Sequence, residues 1–306
     1  EMTSSLVGSE MCIRDRYRLV GLVARSDISV LIRGASGTGK EHIARELHEQ
    51  SHRRNKPFVP VDCGTITGDL AKSEFFGHRK GTFTGAYGDR CGLFQTADRG
   101  TLFLDEIGNL SPETQILLLR ALQERRYKPV GSTREYAFDV RLVAATNENL
   151  ERAISEGRFR EDLFHRLNEF TINVPPLSEC GEDILPLAEF FMRHFSEKHR
   201  KPIRGFNSLA AVSLQKYPWP GNIRELKNCI QRAVLLSADG WISLEGLNLD
   251  LTVGREETAS LSEEEKEKRL LLKTLEEAEG NRARTARMLG ISRTSLYEKL
   301  KKYRII

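Results

Sequence analysis

A chain of 306 residues, 39% hydrophobic and 29% charged, can build two or three compact units with their own cores. No apolar run approaches the roughly 18 residues of a membrane span. Five scattered cysteines without a C-x-x-C pair point to reduced thiols in a cytoplasmic protein, not to a disulfide framework or a zinc site, and the net charge of +4 is small but unevenly placed.

Residues 1–16 include "SSLVGSEMCIRDR", which resembles a translated sequencing-adapter stretch and lacks the charged start and apolar middle of a signal peptide. This stretch is expected to be foreign to the fold, with coherent sequence resuming at Tyr17 and any natural upstream segment missing. From Ser29 the apolar run Val30-Leu31-Ile32 predicts a buried strand, and Ile43, Ala44 and Leu47 share one face of a following helix. Between them lies Gly34-x-x-x-x-Gly39-Lys40, a phosphate-binding loop in its strand–loop–helix context. Its glycines let backbone N–H groups turn around phosphate oxygens at a helix's positive end, and Lys40 reaches the β- and γ-phosphates. Gly34, Ser36, Gly37, Thr38, Gly39, Lys40 and Glu41 are thus candidate nucleotide contacts. Glu41 stands where such loops carry a Ser or Thr ligand for Mg2+, so the metal must find its protein ligand elsewhere.

Next comes "GTFTGA", Gly81 to Ala86, an aromatic between two threonines on a loop hinged by glycines. A ring held out on such a loop needs a partner to bury it. The strand Leu102-Phe103-Leu104 then ends on Asp105-Glu106, at the edge where parallel sheets open onto ligands. Asp105 can hold the Mg2+ shell while Glu106 polarises a water for attack on the γ-phosphate of ATP. Ser111-Pro112 starts a helix. "DVRLVAATN" is a third strand, with Thr146 and Asn147 placed to sense the γ-phosphate or hold that water. Strands alternating with helices indicate an α/β unit with a parallel sheet.

Toward the end, 248–261 reads as a linker, and Ser262 with Glu263 to Glu265 starts a helix that stops at Gly280. Two short helical patterns follow, joined by "GIS", with Ala286, Leu289, Ile291, Leu296 and Leu300 available for a core. From Asn281 on there are eight basic residues against one acid, an excess larger than the net charge of the whole chain. Such a cluster on a helix-turn-helix is the electrostatic footprint of DNA binding. Arg282, Arg284, Arg293, Thr294, Ser295, Tyr297, Lys299, Lys301 and Lys302 are the candidate DNA contacts.

Taken together, "GASGTGKE", "FFGHRKGTFTGA", "GTLFLDE", "FREDLFHRLN", "VPPL" and "WPGNIREL" resemble, in order, the bacterial enhancer-binding proteins, AAA+ ATPases that activate sigma-54-dependent transcription. The carboxyl-terminal segment resembles the Fis-type domain that ends many of them. The resemblance implies an AAA+ parallel sheet over 17–172, a helical lid over 173–247, the linker, and a small all-α helix-turn-helix domain over 262–306. It implies a homo-oligomeric ring, a hexamer, in which Arg160 and Arg166 are fingers acting on the neighbouring subunit's nucleotide and Arg224 is a sensor on the lid. Gly81, Thr82, Phe83, Thr84, Gly85 and Ala86 would contact sigma-54 in the RNA polymerase holoenzyme, with enhancer DNA as the other partner and no membrane. Arg suits the finger role because its guanidinium is permanently charged and bridges two phosphate oxygens. Four positions depart from the family pattern: Thr82 replaces an alanine, Asp62 an asparagine that restrains the catalytic glutamate, and Ser178 and Cys180 two arginines. A different AAA+ machine, a repressor that has lost hydrolysis, and a DNA-binding regulator acting without sigma-54 remodelling remain as alternatives.

Overall fold

The computed structural model describes residues 13–66, 68–83, 86–237 and 240–249, together with 282 and 296. By contacts the chain divides into two compact units, Glu1–Asn248 and Leu249–Ile306. In the first, α1 (Ile13–Ala24) starts four residues inside the stretch expected to be foreign and packs on α2 (Lys40–Glu49).

Five strands form one parallel sheet: β1 (Val30–Gly34), β2 (Phe58–Asp62), β3 (Thr101–Asp105), β6 (Arg141–Thr146) and β7 (Phe170–Val174). Their order is β2-β3-β6-β1-β7, so β2 and β7 are the edges. Pro60, which has no N–H to give, is accommodated because β2 pairs with β3 alone. Alternate residues serve opposite cores. Leu31, Leu102, Leu104 and Ala144 pack on one face beneath α3 (Gly68–Phe76) and the helices that follow β3. Val30, Ile32, Phe103, Val143 and Ala145 pack on the other, against α1 and α2. Burial on both faces explains why the central strands read as continuous apolar runs.

The rest of the base follows the same logic. A short α4 (Leu93–Thr96) precedes β3, and α5 (Pro112–Glu124) is capped by the Ser111 hydroxyl, which accepts the Thr114 N–H at 3.3 Å. A two-stranded hairpin, β4 (Arg126–Tyr127) with β5 (Tyr136–Ala137), follows. Next come α6 (Leu150–Ser155), capped by Asn149, and α7 (Glu161–Leu167), packed on α5.

The base ends with β7 at Val174, two residues beyond the expected boundary at 172. The lid opens on a single 3-10 turn, Leu177–Glu179, and consists of α8 (Gly181–His199), α9 (Ser208–Lys216), α10 (Asn222–Leu236) and α11 (Leu244–Leu247), with a minimal pair β8 (Gly205–Phe206) and β9 (Trp241–Ile242). Trp219 anchors its core, fully buried, with its indole N–H on the Leu214 carbonyl at 2.8 Å. Cys180, where an arginine was expected, is buried at the start of α8, in a position suited to a small thiol, whereas Ser178 is exposed.

Candidate functional site

The ends of β1, β3 and β6 lie side by side, in register, at the carboxyl edge of the sheet. The phosphate loop leaves β1 there. Gly37 and Gly39 have φ of 78° and 89°, the left-handed region that side chains disfavour. A Cβ on Gly34 would lie 2.7 Å from the Val174 carbonyl oxygen, and one on Gly37 would lie 2.4 Å from that of Gly221. The glycines therefore serve close packing as well as loop curvature. Lys40 is buried and donates to the carbonyls of Gly34 and Ala35 at 2.9 and 3.1 Å. Burial pulls its ammonium below the usual range, and the charges of Asp105 and Glu106 oppose that shift. Thr38 is buried, its hydroxyl donating to the Ala35 carbonyl at 2.9 Å. Glu41 is exposed, and its carboxylate pairs with Arg45 at 3.1 Å one helical turn on.

Asp105 and Glu106 form the second element. An Asp105 oxygen accepts the Glu106 N–H at 3.0 Å, and Glu106 itself turns left-handed, with φ 51°, as the chain leaves β3. Asn109, one turn later, donates its side-chain amide to a Glu106 carboxylate oxygen at 3.0 Å. Asp62 does not take that role; its carboxylate caps its own turn, accepting the Gly64 N–H at 2.8 Å. Side-chain atoms of Asp62, Glu106 and Asn109 all lie within 3.4 Å of the point where a Gly64 Cβ would stand, so only glycine leaves them room to converge. The buried Cys63 thiol beside them is pushed well up by burial and then by the carboxylates of Asp62, Asp105 and Glu106, so it stays a thiol. Among the described residues no group of three or more His, Cys, Asp or Glu could hold a metal by itself. The donor set fits a Mg2+ ion that takes one carboxylate, Asp105, and otherwise phosphate and water oxygens. Thr146 is buried at the end of β6 with its hydroxyl accepting the Glu148 N–H at 3.0 Å, while Asn147 is exposed.

From the lid, α10 brings Arg224 onto the loop: its guanidinium donates to the Ser36 hydroxyl at 3.0 Å and its N–H to the Gly37 carbonyl at 3.2 Å. Between α1, α2, α8 and α10 opens an apolar cleft of about 500 Å³ that reaches Thr38 and Gly39, lined among others by Val20, Ile43, Leu187, Phe190, Phe191 and Ile223. Its size and lining suit a flat heteroaromatic group attached to phosphates in the loop. Sequence reasoning missed this cleft because its walls come from four separated helices; it missed Asn109 because one asparagine carries no pattern. The side chains of Arg160 and Arg166 each pair with a nearby acid. Arg160 grips Asp162 through two hydrogen bonds, 3.0 and 2.7 Å, holding that carboxyl below its usual range, and Arg166 lies 3.5 Å from Glu169.

The "GTFTGA" loop rises from a fixed base. His78 exchanges backbone hydrogen bonds with Arg90, and its buried ring meets the Ser73 hydroxyl at 2.6 Å. Asp89 closes the base by accepting the Lys80 N–H and pairing with Arg79; both contacts hold its carboxyl below the usual range. Within the loop, Gly81 (φ 81°) donates to the Ala86 carbonyl at 2.8 Å, and the Thr82 hydroxyl donates to the Arg79 carbonyl. Phe83 sets its ring edge-on to His78 at 4.9 Å and stays 42% exposed, and Tyr87, missed by sequence reasoning, is 89% exposed. Ala86 is buried; Thr84 and Gly85 lie outside the described residues.

In the second unit Arg282 is helical and exposed, and Leu296 is helical and buried, as its expected core position requires. Arg284, Arg293, Thr294, Ser295, Tyr297, Lys299, Lys301 and Lys302 lie outside the described residues. Among those described, no helix is long and apolar enough to cross a membrane.

Residues 6–173 match the Sigma-54 interaction domain, 178–264 the AAA+ ATPase lid domain and 264–303 the Fis family of bacterial regulatory proteins. The chain is 47% identical over 303 residues to the transcriptional regulatory protein ZraR of Klebsiella oxytoca, covering 96% of this chain and 68% of that one. It is 46% identical over 295 residues to the regulatory protein AtoC of Escherichia coli K12, covering 92% and 64%. Among solved structures, NtrX from Brucella abortus in complex with ADP superposes with a TM-score of 0.72 at 35% identity, covering 96% of this chain and 68% of that one. The ATP complex of the same protein gives 0.70 over 98% and 69%.

Proposed function

Because this chain belongs to the sigma-54-dependent transcriptional activators, AAA+ proteins with a helical lid and a Fis-type helix-turn-helix, we propose that it hydrolyses ATP to remodel the sigma-54 RNA polymerase holoenzyme from enhancer DNA in the cytoplasm. The observation that carries this reading is the meeting of Lys40, Asp105 and Glu106 at one sheet edge, with Arg224 delivered to the same loop by the lid. In this reading the loop N–H groups and Lys40 bind the β- and γ-phosphates, and the apolar cleft takes the base. Glu106, steadied by Asn109, orients and polarises the attacking water. A magnesium ion on Asp105 would neutralise charge on the phosphates. Arg160 and Arg166 of a second copy in a hexameric ring complete the site; to do so Arg160 exchanges Asp162 for phosphate oxygens. Phe83 and its neighbours grip the sigma factor, and the basic residues of 281–306 hold DNA.

Phosphate release from the purified chain tests the chemistry. Lys40→Ala is expected to abolish nucleotide binding. Glu106→Gln is expected to bind ATP but lose roughly 10²-fold or more in turnover, the contribution of a positioned acid–base group. Normal turnover by the Glu106→Gln protein removes Glu106 from its role.

A further inference from the structure

Asn222, in the lid sequence "WPGNIREL", has no role in the reaction as described so far, yet its backbone and its side chain are both closely held. It is 3% exposed and sits at φ 53°, a left-handed backbone that asparagine tolerates better than other side chains. Both ends of its amide are used. The Nδ2 group donates to the Ser36 carbonyl at 2.9 Å, inside the phosphate loop, and Oδ1 accepts the Leu177 N–H at 2.8 Å, in the first turn of the lid. One residue further along the loop, the Gly37 carbonyl accepts the Arg224 N–H at 3.2 Å.

The consequence follows from the planarity of the peptide. In a trans peptide the carbonyl and the next N–H point in opposite directions. A Ser36 carbonyl held against the lid by Asn222 therefore turns the Gly37 N–H away from the lid, toward the space the loop encloses. The Gly37–Arg224 bond does the same for the Thr38 N–H. Inward-turned N–H groups are what make such a loop an anion site. The same rigid amide ties this peptide to Leu177, so a phosphate that draws on the Gly37 N–H also draws on the first turn of the lid.

We propose that Asn222 is a positioning residue of the nucleotide site: it presets the Ser36–Gly37 peptide for phosphate binding and joins that peptide to the lid's first turn. This rests on the nucleotide-binding reading above. The test is Asn222→Asp, which keeps the size, the left-handed backbone and the acceptor for Leu177, but loses the donor and sets a carboxylate against the Ser36 carbonyl. Calorimetry with ATP and with ADP at pH 8 should show affinity weakened about tenfold or more, the usual order for leaving a buried polar pair mismatched. The gap from wild type should narrow as pH falls, because the introduced carboxyl, once protonated, regains an O–H donor for Ser36. A residue that served stability alone would show no such pH dependence. Hydrogen exchange without nucleotide gives a second readout: the Leu177 amide should stay protected in Asn222→Asp and lose protection in Asn222→Gly, which suits the backbone but makes neither bond. Wild-type affinity in Asn222→Asp across the pH range, or unchanged Leu177 protection in Asn222→Gly, overturns the assignment. Failure of the wild-type chain to bind ATP or ADP would instead remove the nucleotide reading, while the exchange result still reports on the Asn222–Leu177 bond.

Discussion

At the scale of single residues, Glu106 is held from two directions: its N–H by Asp105 and its carboxylate by Asn109. The sequence placed Asp62 where related proteins use an asparagine as the restraint, and the structure finds the amide donor at 109 while Asp62 caps the turn at Gly64. An exposed hydrogen bond to a charged group contributes about 1.5–3 kcal/mol at most, enough to set which way a carboxylate faces but not to hold the fold. Asn109→Ala is therefore expected to leave the melting temperature nearly unchanged and to lower kcat by about tenfold with little change in KM for ATP. Combined with Glu106→Gln it should add little further loss, because the two residues act through one group. Steady-state kinetics of the two single variants and the double variant check this, and fully additive losses would separate Asn109 from Glu106.

At the scale of elements, the loop from His78 to Arg90 pairs a rigid base with a crown hinged at Gly81. The Phe83 ring rests edge-on against His78, a contact of about 0.5–1.5 kcal/mol. Full burial of a Phe side chain is favourable by about 1.5–3 kcal/mol, so a partner that covers the ring can displace it from His78. Phe83→Ala is expected to leave ATP hydrolysis near the wild-type rate and to abolish co-elution with sigma-54 in the presence of a transition-state nucleotide analogue. Thr82→Ala is expected to preserve both, since it removes only the hydroxyl that donates to the Arg79 and Val130 carbonyls at the loop base. Loss of hydrolysis in Phe83→Ala would make the loop a structural part of the ATPase.

At the scale of the whole molecule, Arg160 and Arg166 are each paired to an acid on their own surface, and as the proposed fingers they would complete the site of a neighbouring copy. Arg160→Ala subunits are expected to be inactive alone yet to regain some hydrolysis when mixed with Lys40→Ala subunits, because an intact loop then faces an intact finger. A titration of one variant into the other, with assembly followed by light scattering, reads the outcome; no recovery at any ratio despite assembled rings counts against fingers in trans.

What the chain alone determined is what a run of about ten residues can encode. The buried strand before "GASGTGK", the acids ending β3 and the Ser111 cap of α5 were legible because periodicity, glycine backbone freedom and capping act between near neighbours. The edge strand β2, with its proline, and β7 carried weaker patterns and emerged only from pairing. Tertiary structure decided the rest of the site. It set Glu41 against Arg45, brought Asn109 onto Glu106 while Asp62 capped its own turn, and opened the cleft between four helices. It also set the Asn222 amide on a carbonyl 186 residues away, since which distant groups meet depends on how the lid packs on the sheet and not on the pattern of either segment.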